Sequence, residues 1–352
     1  MNNKAFITIL LTVIISMVGT NAFAFSIIID NDDGTTFCYN WINNKTELEF
    51  THHGDGMADF LDYHEPDWYY SGDIVIPETV EYNGKTYYVT GIDDFAFAGC
   101  KNLESITIPS SVTYIGENAF YEPRGLTSVH ISDISAWCKI TFYDNPLLYA
   151  PHLFLNGSEI KDLVIPNDMT SNVDRAFAGY SGSLNSIRVE GGNTNYDSRN
   201  NCNAVIDGNN KLILGCKNTT IPNSVTSIGS YAFYGCSGLT SINIPDNVIS
   251  IEENAFMCSG LVYIILPPNL ASIGGEALSS SNLTDIYCKA KIVPSAYSSS
   301  FSNEGNITLH VPVDSYNAYK STEPWNKFGN YSELSSSDLQ ASEKCSKPTI
   351  KS

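Results

Sequence analysis

The sequence predicts a β-rich repeat solenoid, with a parallel β-sheet on one face and short helical or irregular segments on the other. Three observations lead there. An aliphatic triplet spaced Leu-x-x-Ile-x-Ile recurs about every 23 residues along most of a 352-residue chain. A proline follows many of the copies, as at Pro109, Pro166, Pro222, Pro245 and Pro267. Ser, Thr, Asn, Gly and Tyr are plentiful while only 16% of residues are charged, a composition that suits extended strands better than helices.

The elements follow in chain order. Residues 1–24 have the layout of a secretory signal peptide: Lys4 as a positive start, the apolar run "AFITILLTVIISMV" (5–18), and "AFA" (22–24) before a cleavage point. The run is too short for a stable membrane span, and no second apolar stretch is long enough to hold the chain in a bilayer. The expected location is therefore secreted or cell surface, without membrane insertion. Residues 25–88 alternate as strands, with "NG" (83–84) as a tight turn, and predict a β-hairpin N-terminal cap.

Repeats occupy 89–312. Clear copies are Leu103/Ile106/Ile108, Leu126/Val129/Ile131, Ile160/Leu163/Ile165, Leu184/Ile187/Val189, Leu239/Ile242/Ile244, Leu261/Ile264/Leu266 and Leu283/Ile286/Cys288. Weaker ones sit at Ile74/Ile76, Cys216/Thr219/Ile221 and Ile307/Leu309. A unit this short cannot bury its apolar residues alone, whereas stacked units share one core. The last two aliphatics of a triplet lie two apart and so point to one side of a strand. The proline after them removes an amide donor and ends the ladder. A second apolar pair, such as Val225/Ile228, and a short Ala-Phe segment then close the coil.

Two stretches break the period. Residues 135–157 and 196–216 read as inserted hairpins, the second turning at Asp207-Gly208-Asn209-Asn210 and projecting from the repeats. Residues 313–330 form the C-terminal cap, with a short helix starting at Asp314 or Ser315 and ended by Pro324. The Ser-rich segment 331–352 lacks periodicity and predicts a disordered tail.

The unit "IPNSVTSIGSYAFYGCSGLTSI" (221–242) resembles the BspA-like leucine-rich repeat family of secreted and surface proteins, and the resemblance runs from residue 74 to about 330. Segments such as "SAWCKITFYDNPLLYAPHLFLNG" (135–157) and "NAYKSTEPWNKFG" (317–329) are similar to its Bacteroidetes branch. The resemblance implies a secreted or surface-exposed scaffold for protein–protein interaction or adhesion. It supplies no catalytic motif, so the chain is expected not to be an enzyme and to need no cofactor.

A formal charge of −19 repels phosphate backbones and anionic lipid, which excludes nucleic acid as a partner. The expected partner of the monomer is an extracellular protein, of host or bacterial origin, or a glycan. A passive spacer is the remaining alternative. Outward positions between the inward aliphatics are mostly small and polar. Tyr263, Ile265 and Tyr287 on neighbouring rungs are the exception, and adjacent aromatics are typical interface anchors. Arg188 and His130 are further candidates in that row.

Cys100, Cys236 and Cys258 each precede the leading Leu of a triplet by three and read as small buried fillers. Cys202 and Cys216 flank the 207–210 turn and are the candidates for a disulfide, which an oxidising compartment permits. His52, His53, Asp55 and His64 are weak metal-ligand candidates in "THHGDGMADFLDYHEPDW" (51–68), whose spacing matches no standard metal motif and reads first as a polar loop tip. His130, His152 and His310 are scattered singly, and no G-x-S-x-G elbow is present.

Overall fold

The computed structural model describes residues 27–31, 34–52, 70–170, 172–280 and 282–334. The signal peptide read at 1–24 lies outside them. Two compact units divide the chain, one ending at Glu159 and the other beginning at Ile160.

The first unit opens with β1 (Ile27–Asp30), β2 (Thr36–Ile42) and β3 (Glu47–Thr51), paired antiparallel in that order. Next come β4 (Gly72–Val75), β5 (Thr79–Tyr82) and β6 (Lys85–Ile92). The last two form a hairpin turning at Asn83 and Gly84, whose φ angles of 51° and 73° suit Asn-Gly. The repeats then give β7 (Leu103–Thr107), β8 (Tyr114–Ile115), β9 (Ser128–Ile131), β10 (Thr141–Phe142), β11 (His152–Leu155) and β12 (Ser158–Glu159). They build two parallel ladders, β4–β7–β9–β11 and β3–β6–β8–β10. In the first, Ile74, Ile106, Val129 and Leu153 sit one above another, all buried. The second ladder occupies the side where only helical or irregular segments are expected from sequence. After β3 and β6 its strands are two residues long, Tyr114–Ile115 and Thr141–Phe142, too short to leave an alternation pattern.

The segment 135–157 is not an inserted hairpin. Asp133 caps a helix, α1 (Ile134–Lys139), by accepting from Ala136 N at 2.7 Å, and the helix buries Trp137 and Cys138. The chain then supplies one strand to each ladder, so this is a further repeat. Its triplet is Ala150/Leu153/Leu155, with a buried alanine where other copies carry Leu. The hairpin proper is limited to Asn156-Gly157 between β11 and β12.

In the second unit, β13 (Asp162–Ile165) and β14 (Ser186–Val189) pair in parallel, separated by a one-turn helix, α2 (Val173–Ala176). β15 (Tyr196–Asp197), β16 (Ala204–Asp207) and β17 (Lys211–Gly215) are antiparallel. β17 then starts a parallel ladder through β18 (Ser227–Ile228), β19 (Ser250–Ile251), β21 (Ser272–Ile273) and β23 (Ser295–Ala296). The other ladder is β20 (Tyr263–Leu266), β22 (Asp285–Cys288), β24 (Thr308–Val311) and β25 (Asn330–Glu333).

Here too the sequence expectations need correction. The 204–215 hairpin does not project: Ala204, Val205, Ile206, Leu212, Ile213 and Leu214 are all buried, and β17 is part of a ladder. The tail does not begin at 331, since Asn330–Glu333 pairs with Thr308–Val311. The C-terminal helix α3 (Tyr316–Ser321) follows a 3-10 turn at Val313–Ser315 and buries Tyr319.

Between ladders, the Ala-Phe segments stack. Phe97 N donates to Ala119 O at 2.7 Å, Phe233 N to Ala255 O at 2.8 Å and Phe256 N to Ala277 O at 2.9 Å. The rings follow: Phe97 lies parallel to Phe120 at 5.2 Å, and Phe233 to Phe256 at 5.0 Å. Phe120 has no Ala-Phe coil beyond it, and a side chain supplies the missing acceptor: Asp144 Oδ2 takes Phe120 N at 2.8 Å.

Burial raises the Asp144 carboxyl above its ordinary value, opposed by the hydrogen bonds from Phe120 and its neighbours. Folding therefore favours the protonated acid, and this contribution to stability is lost as pH rises above the ordinary carboxylate range. Asp144→Asn keeps an acceptor for Phe120 N without a charge, so its stability should gain on wild type between pH 3.5 and 7 in urea unfolding. Asp144→Ala orphans the buried amide and should cost about 1–3 kcal/mol; equal behaviour of the two variants would refute the acceptor role.

Candidate binding face

The outward side of β20–β22–β24 is built by alternation. In β20, Ile264 and Leu266 point into the core, and in β22 Ile286 and Cys288 do the same. Tyr263 and Ile265, then Asp285 and Tyr287, then Thr308 and His310, are left on the other side. Tyr263 and Tyr287 meet edge to face, 6.4 Å between ring centres and 87° between planes. On its far side Tyr287 lies parallel to the His310 imidazole, 4.2 Å away at 10°. His310 Nε2 is 2.9 Å from Asp285 Oδ1, and that carboxylate's other oxygen is 2.8 Å from the Thr284 hydroxyl.

The structure thus brings together Tyr263 and Tyr287, both half-buried, but not all the candidates read from sequence. Ile265 is only 7% exposed; it is bridged to Asn243 on one side and paired with Tyr287 on the other, so it supports the face rather than presenting itself. Arg188 is exposed on β14, in the separate β13–β14 sheet, opposite Val164. His130 belongs to the first unit, where it lies parallel to Phe154 at 4.7 Å and 8°. His310 is the residue that sequence reasoning missed. Alternation two positions beyond Thr308 would have found it. Phe154 was hidden because its repeat reads as an insertion.

None of the described histidines sits in a nucleophile–base–acid line. His130 Nε2 is 3.3 Å from Ser128 Oγ and is stacked on a ring rather than held by a carboxylate. His152 Nδ1 meets Glu159 at 2.6 Å on the first unit's edge hairpin. Of the metal candidates, His52 is half-buried with Nδ1 3.5 Å from Thr51 Oγ1; His53, Asp55 and His64 lie outside the described residues. Among the described residues no cluster of three or more metal-ligating side chains forms.

The cysteines divide by position in the coil. After each Ala-Phe pair the chain takes a left-handed residue (Gly99, Glu122, Gly179, Gly235 or Cys258, with φ between 54° and 88°) and then turns inward. The inward position holds Cys100, Pro123, Tyr180, Cys236 and Ser259, all buried. Except at Pro123, which has no N–H, its amide returns to the Phe carbonyl: Cys100 to Phe97 at 3.2 Å, Tyr180 to Phe177 at 3.0 Å, Cys236 to Phe233 at 3.1 Å, Ser259 to Phe256 at 3.1 Å. Cys100 and Cys236 are fillers. Cys258 is not: its coil is one residue shorter between Phe and Leu, which moves Cys258 onto the exposed left-handed turn and Ser259 into the thiol's place. There the Ser259 hydroxyl is buried without a hydrogen-bond partner.

Cys202 and Cys216 are both free and buried. Ala204 pairs with Gly215, so the next step of the register sets Asn203, not Cys202, across from Cys216. Cys216 Sγ accordingly lies 3.7 Å from Asn203 O, and Cys202 Sγ 3.7 Å from Ala204 O. Burial pushes the Cys100 and Cys236 thiols up to about 12 and raises those of Cys202 and Cys216.

Comparison with known proteins gives a family model, BspA type leucine rich repeat region, that matches residues 74–204 and 213–320 in six copies. Among solved structures, the chain is similar to a leucine-rich repeat protein from Eubacterium ventriosum, with 20% identity, 78% of this chain and 76% of the other covered, and a TM-score of 0.47. It is also similar to a leucine rich cell surface protein from Faecalibacterium prausnitzii, at 19% identity, 91% and 98% coverage and a TM-score of 0.34. The pneumococcal vaccine antigen PcpA matches at 16% identity, 88% and 99% coverage and a TM-score of 0.37. No curated protein matches the chain.

The thiol geometry has a direct chemical readout. Native protein treated briefly with iodoacetamide at pH 8 should be alkylated at Cys258 alone among the eight described cysteines, because the other seven are buried away from the reagent. Peptide mass spectrometry reads this, and early labelling of Cys236 or Cys216 would contradict the packing described.

Proposed function

The chain belongs to the BspA type leucine-rich repeat family, and from that premise we propose that it is an exported, secreted or surface-held protein that binds an extracellular macromolecule without catalysis. The contact face is the outward side of β20–β22–β24. The observation that carries this reading is the row of rings Tyr263, Tyr287 and His310 on adjacent strands, set on a sheet face whose other positions are the covered Ile265 and the polar Asp285 and Thr308. Aromatic side chains held side by side give large contact area with little rotamer freedom to lose, which is what interface anchors require.

The same stacking favours a protein partner over a glycan. A sugar ring binds by lying on an open aromatic face, and Tyr287 is flanked on one side by His310 and on the other by Tyr263. Support for export comes from the leader-like residues 1–24 in the sequence. Among the described residues no helix is long and apolar enough to cross a membrane.

Cross-linking the purified protein to extracellular material and identifying the captured chains tests the reading. The double variant Tyr263→Ser/Tyr287→Ser should lose a specific captured protein by tenfold or more while keeping its melting temperature within a few degrees. Undiminished capture would remove this face from the function. Capture of glycan alone would reverse the choice of partner.

A further inference from the structure

We infer that Asp285 and His310 are positioning residues for Tyr287, bracing its ring in one orientation so that the face is formed before a partner arrives; the inference rests on the binding role proposed for that face. Five observations support it.

The His310 side chain is only 13% exposed and lies flat against Tyr287. Its Nδ1 is buried with no hydrogen-bond partner. A phenyl or leucyl group there would cover Tyr287 without leaving a polar atom unsatisfied, so packing alone does not account for a histidine. What the imidazole adds is Nε2, whose proton Asp285 Oδ1 accepts at 2.9 Å; this pairing also assigns the tautomer.

Asp285 is itself held. It sits on β22, one strand from His310, and its second oxygen is 2.8 Å from the Thr284 hydroxyl, nearer than the other acceptor of that hydroxyl, Val262 O at 3.1 Å. The brace therefore runs from Thr284 to the Asp285 carboxylate, to the imidazole and then to the Tyr287 ring, with Tyr263 closing the opposite side. The comparable stack in the first unit lacks this arrangement. His130 lies on Phe154, but its Nε2 meets a neutral hydroxyl, Ser128, at the longer distance of 3.3 Å. A side chain already fixed in its bound orientation loses less freedom on binding, which is the advantage such a brace confers.

Carbon-13 NMR of the imidazoles tests the inference directly. The chain has six histidines, so the spectrum is sparse. Recorded at pH 8.5 to remove differences in protonation, the Cδ2–H and Cε1–H protons of His310 should be shifted upfield by the Tyr287 ring current. Tyr287→Leu abolishes the shift and so assigns the signal. Asp285→Ala should lose most of it, and Asp285→Asn, whose amide oxygen still accepts from Nε2–H, should retain it. A wild-type signal without ring-current shift, or an Asp285→Ala spectrum identical to wild type, would overturn the inference. Should Asp285→Ala fail to fold, Thr284→Val serves in its place, with partial loss expected and no change contradicting the brace. If the shift behaves as stated while Tyr287→Ser leaves capture of the extracellular partner undiminished, the brace stands and the binding role falls.

Discussion

Turn amides in the Phe97, Phe233 and Phe256 coils are handed to the coil beside them. Phe97 depends on Ala119, Phe233 on Ala255 and Phe256 on Ala277 for an acceptor, and the phenyl rings pack face to face along the same direction. A buried amide without an acceptor is costly, and a repeat of this length has too little apolar surface to form a core by itself. These two requirements are met only by a neighbour. Where no neighbouring Ala-Phe coil exists, the chain substitutes: Asp144 accepts from Phe120, and in the second unit Trp325 packs against Phe301 at 5.0 Å while its indole N–H reaches Pro294 O.

That dependence explains which parts could be read in advance. The triplets are legible because a rung must present two inward aliphatics two residues apart, and Ile106/Ile108 or Ile264/Leu266 cannot change without exposing the shared core. The second ladder is illegible because a two-residue strand such as Ser227–Ile228 or Ser250–Ile251 has no period; only its backbone pairing defines it. The repeat around Leu153 escapes notice because Ala150 replaces the leading Leu. The Cys258 assignment fails because counting back from Leu261 gives a different register from counting forward from Phe256, and a deletion of one residue in the turn separates the two. Counting from Phe follows the stacked rings and is the physically anchored choice.

The candidate face was partly visible. Tyr263 and Tyr287 follow from alternation alone. The contribution of His310 depends on a contact between strands far apart in sequence, and the brace through Asp285 on the diagonal geometry of a parallel pair, neither of which composition reveals. Conversely Ile265 looks outward in sequence but is covered once the bridge to Asn243 is in place. A surface can hold such a cluster in fixed geometry because the strands beneath it are locked by their neighbours, so the face inherits its order from the stack.

The dependence of one coil on the next is best measured by amide hydrogen exchange in Phe256→Ala. Removing a buried phenyl costs about 3–5 kcal/mol, and nearest-neighbour stacking places that loss on the adjoining coils. Phe233 and Leu278, whose coils flank the substitution, should exchange much faster together with residues 254–259, while Ile106 and Val129 in the first unit keep their protection. Faster exchange confined to the substituted coil, with Phe233 and Leu278 unchanged, would contradict the account.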